Sequence, residues 1–229
     1  GRVAAGAIAR TLLREACGIE VLAWVSQIHT IHSEVDPSTV SLDEVESDPT
    51  RCPDSNAAAK MTFAIEEARR NGDSLGGVVT CIARGVPAGL GEPVFDRMEA
   101  DLAKGMLSLP AVKGFDIGSG FEAVKMTGKD HNDPFIAGED GPTTATNHSG
   151  GVQGGITNGA DVIFRVAFKP TATISSKQET VDTENNPVEL SATGRHDPCV
   201  LPRAVPLVES MALLVLADHW LRQKTIDVL

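Results

Sequence analysis

The sequence predicts a layered domain of mixed helices and strands, α/β or α+β, with antiparallel sheets. Three observations carry this. Segments with a helical apolar period alternate along the chain with segments that read as strands. Long polar excursions, at residues 33–56, 127–147 and 178–187, separate them. Aromatic residues make up only 4% and tyrosine is absent, so the core must be built from Ala, Val, Leu and Ile. No low-complexity linker divides the 229 residues, and one domain over 1–229 is expected rather than two.

Arg2 to Cys17 repeats Ala4, Ile8, Leu12 and Ala16 every fourth position, with Val3 and Leu13 alongside and Gly18 as a stop, which predicts a packing helix. Its small run Ala4-Ala5-Gly6-Ala7 permits close approach of another backbone, from a neighbouring element or another subunit. Gly1 stands just ahead of this helix without a capping side chain, so the chain reads as one whose beginning has been cut away. Glu20 to Ile28 alternates as a strand, with Trp24 near a layer boundary. His29 and His32, three apart, lack a third ligand near by and read as a polar loop. The acidic segment 33–56 is a surface excursion with a short helix around Leu42 to Val45. Asp54 or Ser55 then caps a helix through Arg70 that faces Met61, Ala64, Ile65 and Ala68 inward.

Residues 75–83 form a continuous apolar, glycine-containing strand, buried on both faces or close against another backbone. The loop from Gly85 to Pro93, with three glycines and two prolines, has the shape of a segment near a site or interface. A helix over 95–107 follows, then a strand through Phe115 and Ile117 that continues past a Gly118-Ser119-Gly120 kink to Lys125. His131-Asn132-Asp133 lies in a polar rim, where a solvated loop is the plainer alternative to ligand contact. Residues 146–159 hold glycines at 150, 151, 154, 155 and 159 in neither a dinucleotide nor a P-loop spacing, yet give a backbone able to hug a flat or charged ligand. The strand over 161–169 turns Val162, Phe164, Val166 and Phe168 inward, and Lys169 with the threonines of Pro170-Thr171-Ala172-Thr173 makes an anion cradle or simply a solvated strand end.

The densest chemistry lies in Gly194-Arg195-His196-Asp197-Pro198-Cys199 and the Val200 to Pro206 segment behind it. Arg195 and Arg203 offer forks for phosphate or carboxylate, and His196 and Asp197 could orient them or move protons; a braced turn is the alternative. An enclosed apolar helix over 205–223 follows, with Pro206 at its start.

Composition narrows the partners. Hydrophobic content of 41% and charged content of 22% suit a soluble globular protein. Twenty basic against 31 acidic residues, a net charge of −11, argue against nucleic acid, and a small anion must be held by local clusters. Cys17, Cys52, Cys81 and Cys199 are widely spaced, so neither a metal site nor a disulfide framework is expected. Reduced thiols in an intracellular setting are expected, cytoplasmic or, in a plant, plastid. No apolar run reaches the roughly 18–20 residues that span a bilayer, so no membrane partner is expected.

Taken together, Gly85 to Asp96, Ala111 to Gly114, Asn147 to Gly155, Phe168 to Thr173 and Gly194 to Pro206 closely resemble chorismate synthase, and the likeness runs over essentially the whole chain. The resemblance implies an α+β, layered β-α-β sandwich in which antiparallel sheets enclose helices, and a homotetramer. It implies a shikimate-pathway enzyme, a phosphate lyase that makes chorismate from 5-enolpyruvylshikimate 3-phosphate by 1,4-elimination and requires reduced FMN. Carried over by position, the flavin contacts are Ala111, Gly154, Lys169, Pro170, Thr171, Ala172, Thr173 and Arg195, and Asp197 relays a proton at the flavin's reactive nitrogen. Pro110 stands where some relatives place Asn. Family members are longer at the front, where two general-acid histidines lie that no histidine here matches. The chain alone is therefore expected to hold half a site and to be inactive. An FMN-dependent oxidoreductase and a non-catalytic oligomerisation fragment are the rival readings.

Overall fold

The computed structural model describes residues 1–138, 141–194 and 196–226. In chain order these form α1 (Arg2–Cys17), β1 (Glu20–Ile28), β2 (Ile31–His32), α2 (Leu42–Glu46), α3 (Ser55–Arg70), β3 (Gly77–Arg84), α4 (Met98–Leu107) and β4 (Val112–Ile117). A 3₁₀ turn (Gly120–Lys125) leads to α5 (Gly128–His131), β5 (Phe135–Gly138), β6 (Gly141–Thr144), β7 (Val152–Gln153), β8 (Ile156–Thr157), β9 (Val162–Phe168), β10 (Gln178–Val181), β11 (Pro187–Leu190) and α6 (Leu201–Ile226). The expected α+β class is what is seen. One five-stranded antiparallel sheet, in the order β2-β1-β3-β9-β4, carries α1, α4 and α6 on one face, and three two-stranded hairpins decorate it.

The strand pattern decides which face is which. Val21, Ala23 and Val25 of β1, Val79, Cys81 and Ala83 of β3, and the four alternating residues of β9 point to the helical layer and are buried there. On the opposite face Leu22, Trp24 and Ile82 are covered by Val40 and Val45, so part of the acidic excursion is a lid over the sheet. Trp24 is fully enclosed under it instead of marking a boundary.

Several expectations change. α1 packs on α6 through Gly6, Ala9 and Leu13, leaving Ile8 74% exposed, because the crossing is so close that a Cβ on Gly6 would collide with Ser210. Of the small run only Gly6 is buried in that contact, and the every-fourth stripe faces away from it. α6 begins at Leu201, with Pro206 inside. Proline at 206 cannot donate to the carbonyl four residues back, and the Arg51 guanidinium donates to that Pro202 oxygen instead, at 2.7 Å. Past β4 the chain leaves the sheet, since Gly118 and Gly120 both adopt positive φ, and the expected strand over 121–125 is a 3₁₀ turn with Phe121 exposed. The helix expected over 95–107 starts at Met98, and the polar rim at 127–147 contains α5 and an exposed β5–β6 hairpin.

α6 is also long and apolar enough to cross a membrane by length and composition, with mean hydropathy 1.4, contrary to the sequence expectation; half of that window is buried in this fold. Its Leu201, Val205, Val208, Leu213 and Leu216 are in the core, each contributing roughly 1.5–3 kcal/mol.

Backbone groups of Val21, Ala23 and Val25 along β1 are met by partners from outside the sheet. Arg10 of α1 donates to the Val21 carbonyl at 2.9 Å, Glu209 of α6 accepts from the Ala23 amide at 2.9 Å, and the Val25 amide donates to the Arg51 carbonyl at 2.9 Å. Arg10 and Glu209 are themselves paired at 2.7 Å. Burial raises the Glu209 carboxyl above its ordinary range, and the Ala23 amide and Arg10 pull it only part of the way back.

Candidate active site

β9 lies between β3 and the edge strand β4, and the two ends of this strand hold nearly all the residues singled out by sequence. At its carboxy-terminal end the chain passes into Lys169–Thr173, and the Lys169 amide donates to the Ala111 carbonyl at 2.9 Å. Ala111, just before β4, has φ of 67°, an uncommon conformation for a residue with a Cβ. The Thr171 hydroxyl donates to the Asp197 carbonyl at 3.1 Å. Ala111, Lys169, Pro170, Thr171 and Asp197 are thus neighbours, with Ala172 and Thr173 exposed beside them. Arg195 lies outside the described residues.

Gly154 is not brought to this end. It turns between β7 and β8, and the adjacent Gly155 carbonyl accepts from the Met98 amide at the start of α4. Ala111 follows the other end of α4, a helix of 10 residues and so about 15 Å long.

Several groups at the first end are unspent. The Lys169 ammonium reaches only the Pro170 carbonyl, at 3.3 Å, among the described residues. The His196 Nε2 is buried and has no partner among the described residues. Arg203 Nη1 donates to Asp197 Oδ2 at 2.8 Å, and Asp197 Oδ1 has no partner among the described residues. One cation, one orphaned ring nitrogen, a free carboxylate oxygen and the exposed Thr173 hydroxyl suit a ligand with an anionic end and a polar edge. Cys199, two residues from Asp197, is not a nucleophile in waiting. Burial, assisted by the Asp197 charge, pushes its thiol up to about 11, against a bond from the Leu201 amide.

At the amino-terminal end of β9 the polar groups are consumed internally. Asn147 accepts from the Gly151 amide at 2.6 Å and donates to the Asp161 carbonyl at 2.8 Å. Asp133, 3% exposed, accepts from the Thr146 hydroxyl and the His148 and Ser149 amides at 2.6–2.8 Å. Burial alone would raise this carboxyl; those bonds outweigh it and hold it below the usual range. Asp133 is therefore an internal staple and not a solvated loop residue. Three glycines here lie against backbone, Gly118 against His148 and Gly150, Gly150 against Gly118 and Ile163, and Gly151 against Asp161, whereas Gly155 makes room for the Arg97 side chain.

A cleft of about 700 Å³ crosses the sheet face beyond Trp24, with Thr80, Phe115, His148 and Arg165 in its lining. Arg165 is locked there by two bonds to Asp116 at 2.8 and 2.6 Å, and none of the expected site residues borders it. Among the described residues no cluster of three or more His, Cys, Asp or Glu could hold a metal ion, and the four cysteines are unpaired.

Sequence reasoning gave no site role to Gly72-Asp73-Ser74-Leu75-Gly76, placing Leu75 and Gly76 in a strand that the structure starts at Gly77; the structure threads this segment beneath both loops of the first end. Its glycines and lone serine look like an ordinary helix-to-strand turn, and no motif would have found it.

Residues 1–221 match the family profile described as chorismate synthase. A chorismate synthase of Opitutus terrae is 61% identical over 223 residues, covering 97% of this chain and 61% of that protein. One of Synechococcus sp. strain CC9902 is 59% identical over 226 residues, covering 98% and 62%. A crystal structure of chorismate synthase superposes with a TM-score of 0.78 at 30% sequence identity, covering 97% of this chain and 62% of that one. The chain spans about three fifths of the length of the relatives it matches. A family profile and relatives about 60% identical agree along nearly all of its residues: the chain belongs to the chorismate synthase family.

Proposed function

We propose that this chain carries the flavin-holding and proton-handling part of a chorismate synthase, which converts 5-enolpyruvylshikimate 3-phosphate to chorismate by 1,4-elimination of phosphate, with reduced FMN. The observation that carries the reading is the convergence of Ala111, Lys169 to Thr171 and Asp197 at one sheet end, where the Lys169 ammonium and His196 Nε2 remain unspent.

Reduced FMN bound there would supply electron density to assist departure of phosphate and a ring nitrogen to receive the substrate proton. Lys169 binds the anionic end of the cofactor against the protein's overall negative charge, with the Thr173 hydroxyl as a further donor. Pro170 fixes φ between them and keeps the lysine at the strand end. Ala111 orients the loop by accepting from the Lys169 amide. His196 meets a polar edge through Nε2. Asp197, held through Oδ2 by Arg203, keeps Oδ1 to hold or pass a proton. Arg195 joins the cofactor's anionic side on the strength of the family motif alone. Assembly as a homotetramer belongs to the same proposal, and sedimentation velocity tests it.

The decisive experiment is anaerobic phosphate release from 5-enolpyruvylshikimate 3-phosphate in a protein of the relatives' full length. Asp197→Ala is expected to lower turnover by about a hundredfold or more. The 229-residue chain alone is expected to show little or none. Wild-type rates in Asp197→Ala remove its assigned role, and full activity of the chain alone removes the proposal of a divided site.

A further inference from the structure

Two loops remote in sequence, 169–173 and 196–199, must keep a fixed spacing if they are to grip one ligand, and among the described residues their direct link is the single Thr171–Asp197 bond. What lies beneath them supplies the rest. The Ser74 hydroxyl donates to the Thr171 carbonyl at 2.7 Å, and the next residue's amide, Leu75, donates to the Pro198 carbonyl at 2.7 Å. Leu75 also forms a parallel bridge with Cys199. One segment therefore holds both loops, and Thr171 to Asp197 closes the ring.

The same segment is anchored along its length. The Gly72 carbonyl accepts from the Ser176 amide at 3.1 Å, and the Gly76 carbonyl accepts from the His29 amide at 2.9 Å. Gly76 lies so close under the Phe168 carbonyl and the Pro170 ring that a Cβ there would collide with both. Ser74 is 6% exposed, so its hydroxyl has no water to replace the bond if the loop moves.

We infer that Ser74, within the segment 72–76, is a positioning residue that sets the distance between the Lys169–Thr173 cradle and Asp197; this rests on the function proposed above. The hydroxyl touches the loop backbone and not the ligand, so its effect is on geometry. The ring predicts coupling: loosening Ser74–Thr171 also loosens Leu75–Pro198, at the residue next to Asp197.

The test compares Ser74→Ala, Ser74→Thr and Gly76→Ala with the unaltered chain. Amide hydrogen exchange and binding of reduced FMN, followed anaerobically, are the two readouts. In Ser74→Ala, exchange at the Leu75 and Ser176 amides is expected to accelerate about tenfold, with α1 and α6 unchanged, and FMN affinity to fall about tenfold. Ser74→Thr, which keeps the hydroxyl, restores both. Gly76→Ala, which pushes Pro170 from the other side, gives the same local loosening and keeps the test available if Ser74→Ala does not fold. Unchanged exchange at Leu75 and Ser176 in folded Ser74→Ala or Gly76→Ala overturns the inference, as does FMN affinity equal to that of the unaltered chain. If the unaltered chain binds no FMN, the flavin reading of this chain fails, and the exchange data still decide whether Ser74 spaces the loops.

Discussion

The two ends of β9 look alike in sequence and differ in what they leave free. Both are rich in glycine, proline, threonine and small polar residues. At the amino-terminal end, Asp133, Asn147 and Thr157 each make two or more bonds to neighbouring loops, and the glycines give room for backbone on backbone. At the carboxy-terminal end the loops are stitched from below, and their upper groups are left over: an ammonium, a ring nitrogen, a carboxylate oxygen. Glycine content reports a need for unusual backbone angles. Unspent donors report a place for something else to bind.

Gly118→Ala tests that contrast most severely. The residue has φ of 57°, and a Cβ would fall on the His148 carbonyl and within 2.7 Å of the Ser149 backbone. A loss of about 3 kcal/mol or more in chemical denaturation is expected, a size reserved for strain that the fold cannot relax. A loss below about 1 kcal/mol would show that the glycine end is slack after all.

Asp133→Asn is expected to cost about 2 kcal/mol, since an amide offers one acceptor where the carboxylate serves three donors. The folded-state carboxyl sits below its ordinary value, so its stabilisation is in place above that value, 3.8, and is lost as pH falls through the depressed folded one. Urea titrations across that range should therefore show the gap between the two proteins narrowing in acid; a gap independent of pH would mean that another group carries the effect.

Lys169→Ala is the mildest change for the fold, within about 0.5 kcal/mol, because the side chain makes one weak contact. Its effect belongs to binding: FMN affinity, measured by fluorescence quenching, should fall about tenfold or more. Equal affinity in the variant would erase the distinction between the two ends.

How far this was legible in the sequence follows the range of the forces. The Gly18 stop, the bounds of β1 and the four inward residues of β9 are local patterns, and they hold. The face of α1 was misread because the crossing is set by Ser210 of α6, far along the chain, and not by the period of α1 itself. The start of α6 was hidden because a proline that ordinarily weakens a helix interior is tolerated when Arg51 serves the carbonyl it leaves free. At the site, the motifs mark Lys169 to Thr173 and Asp197 but not that they meet. Ser74, which touches one loop while its neighbour Leu75 touches the other, has no signature in composition or spacing.

The outer rail of β1 is stoppered by the Arg51 carbonyl and by Arg10 and Glu209, two residues 199 positions apart in sequence. A strand with that rail vacant would be a template on which a like strand from another molecule could lie down, and the next on that one. Keeping this polypeptide dispersed is thereby shared between the Arg51 carbonyl and an ion pair that closes only when α1 and α6 have found each other.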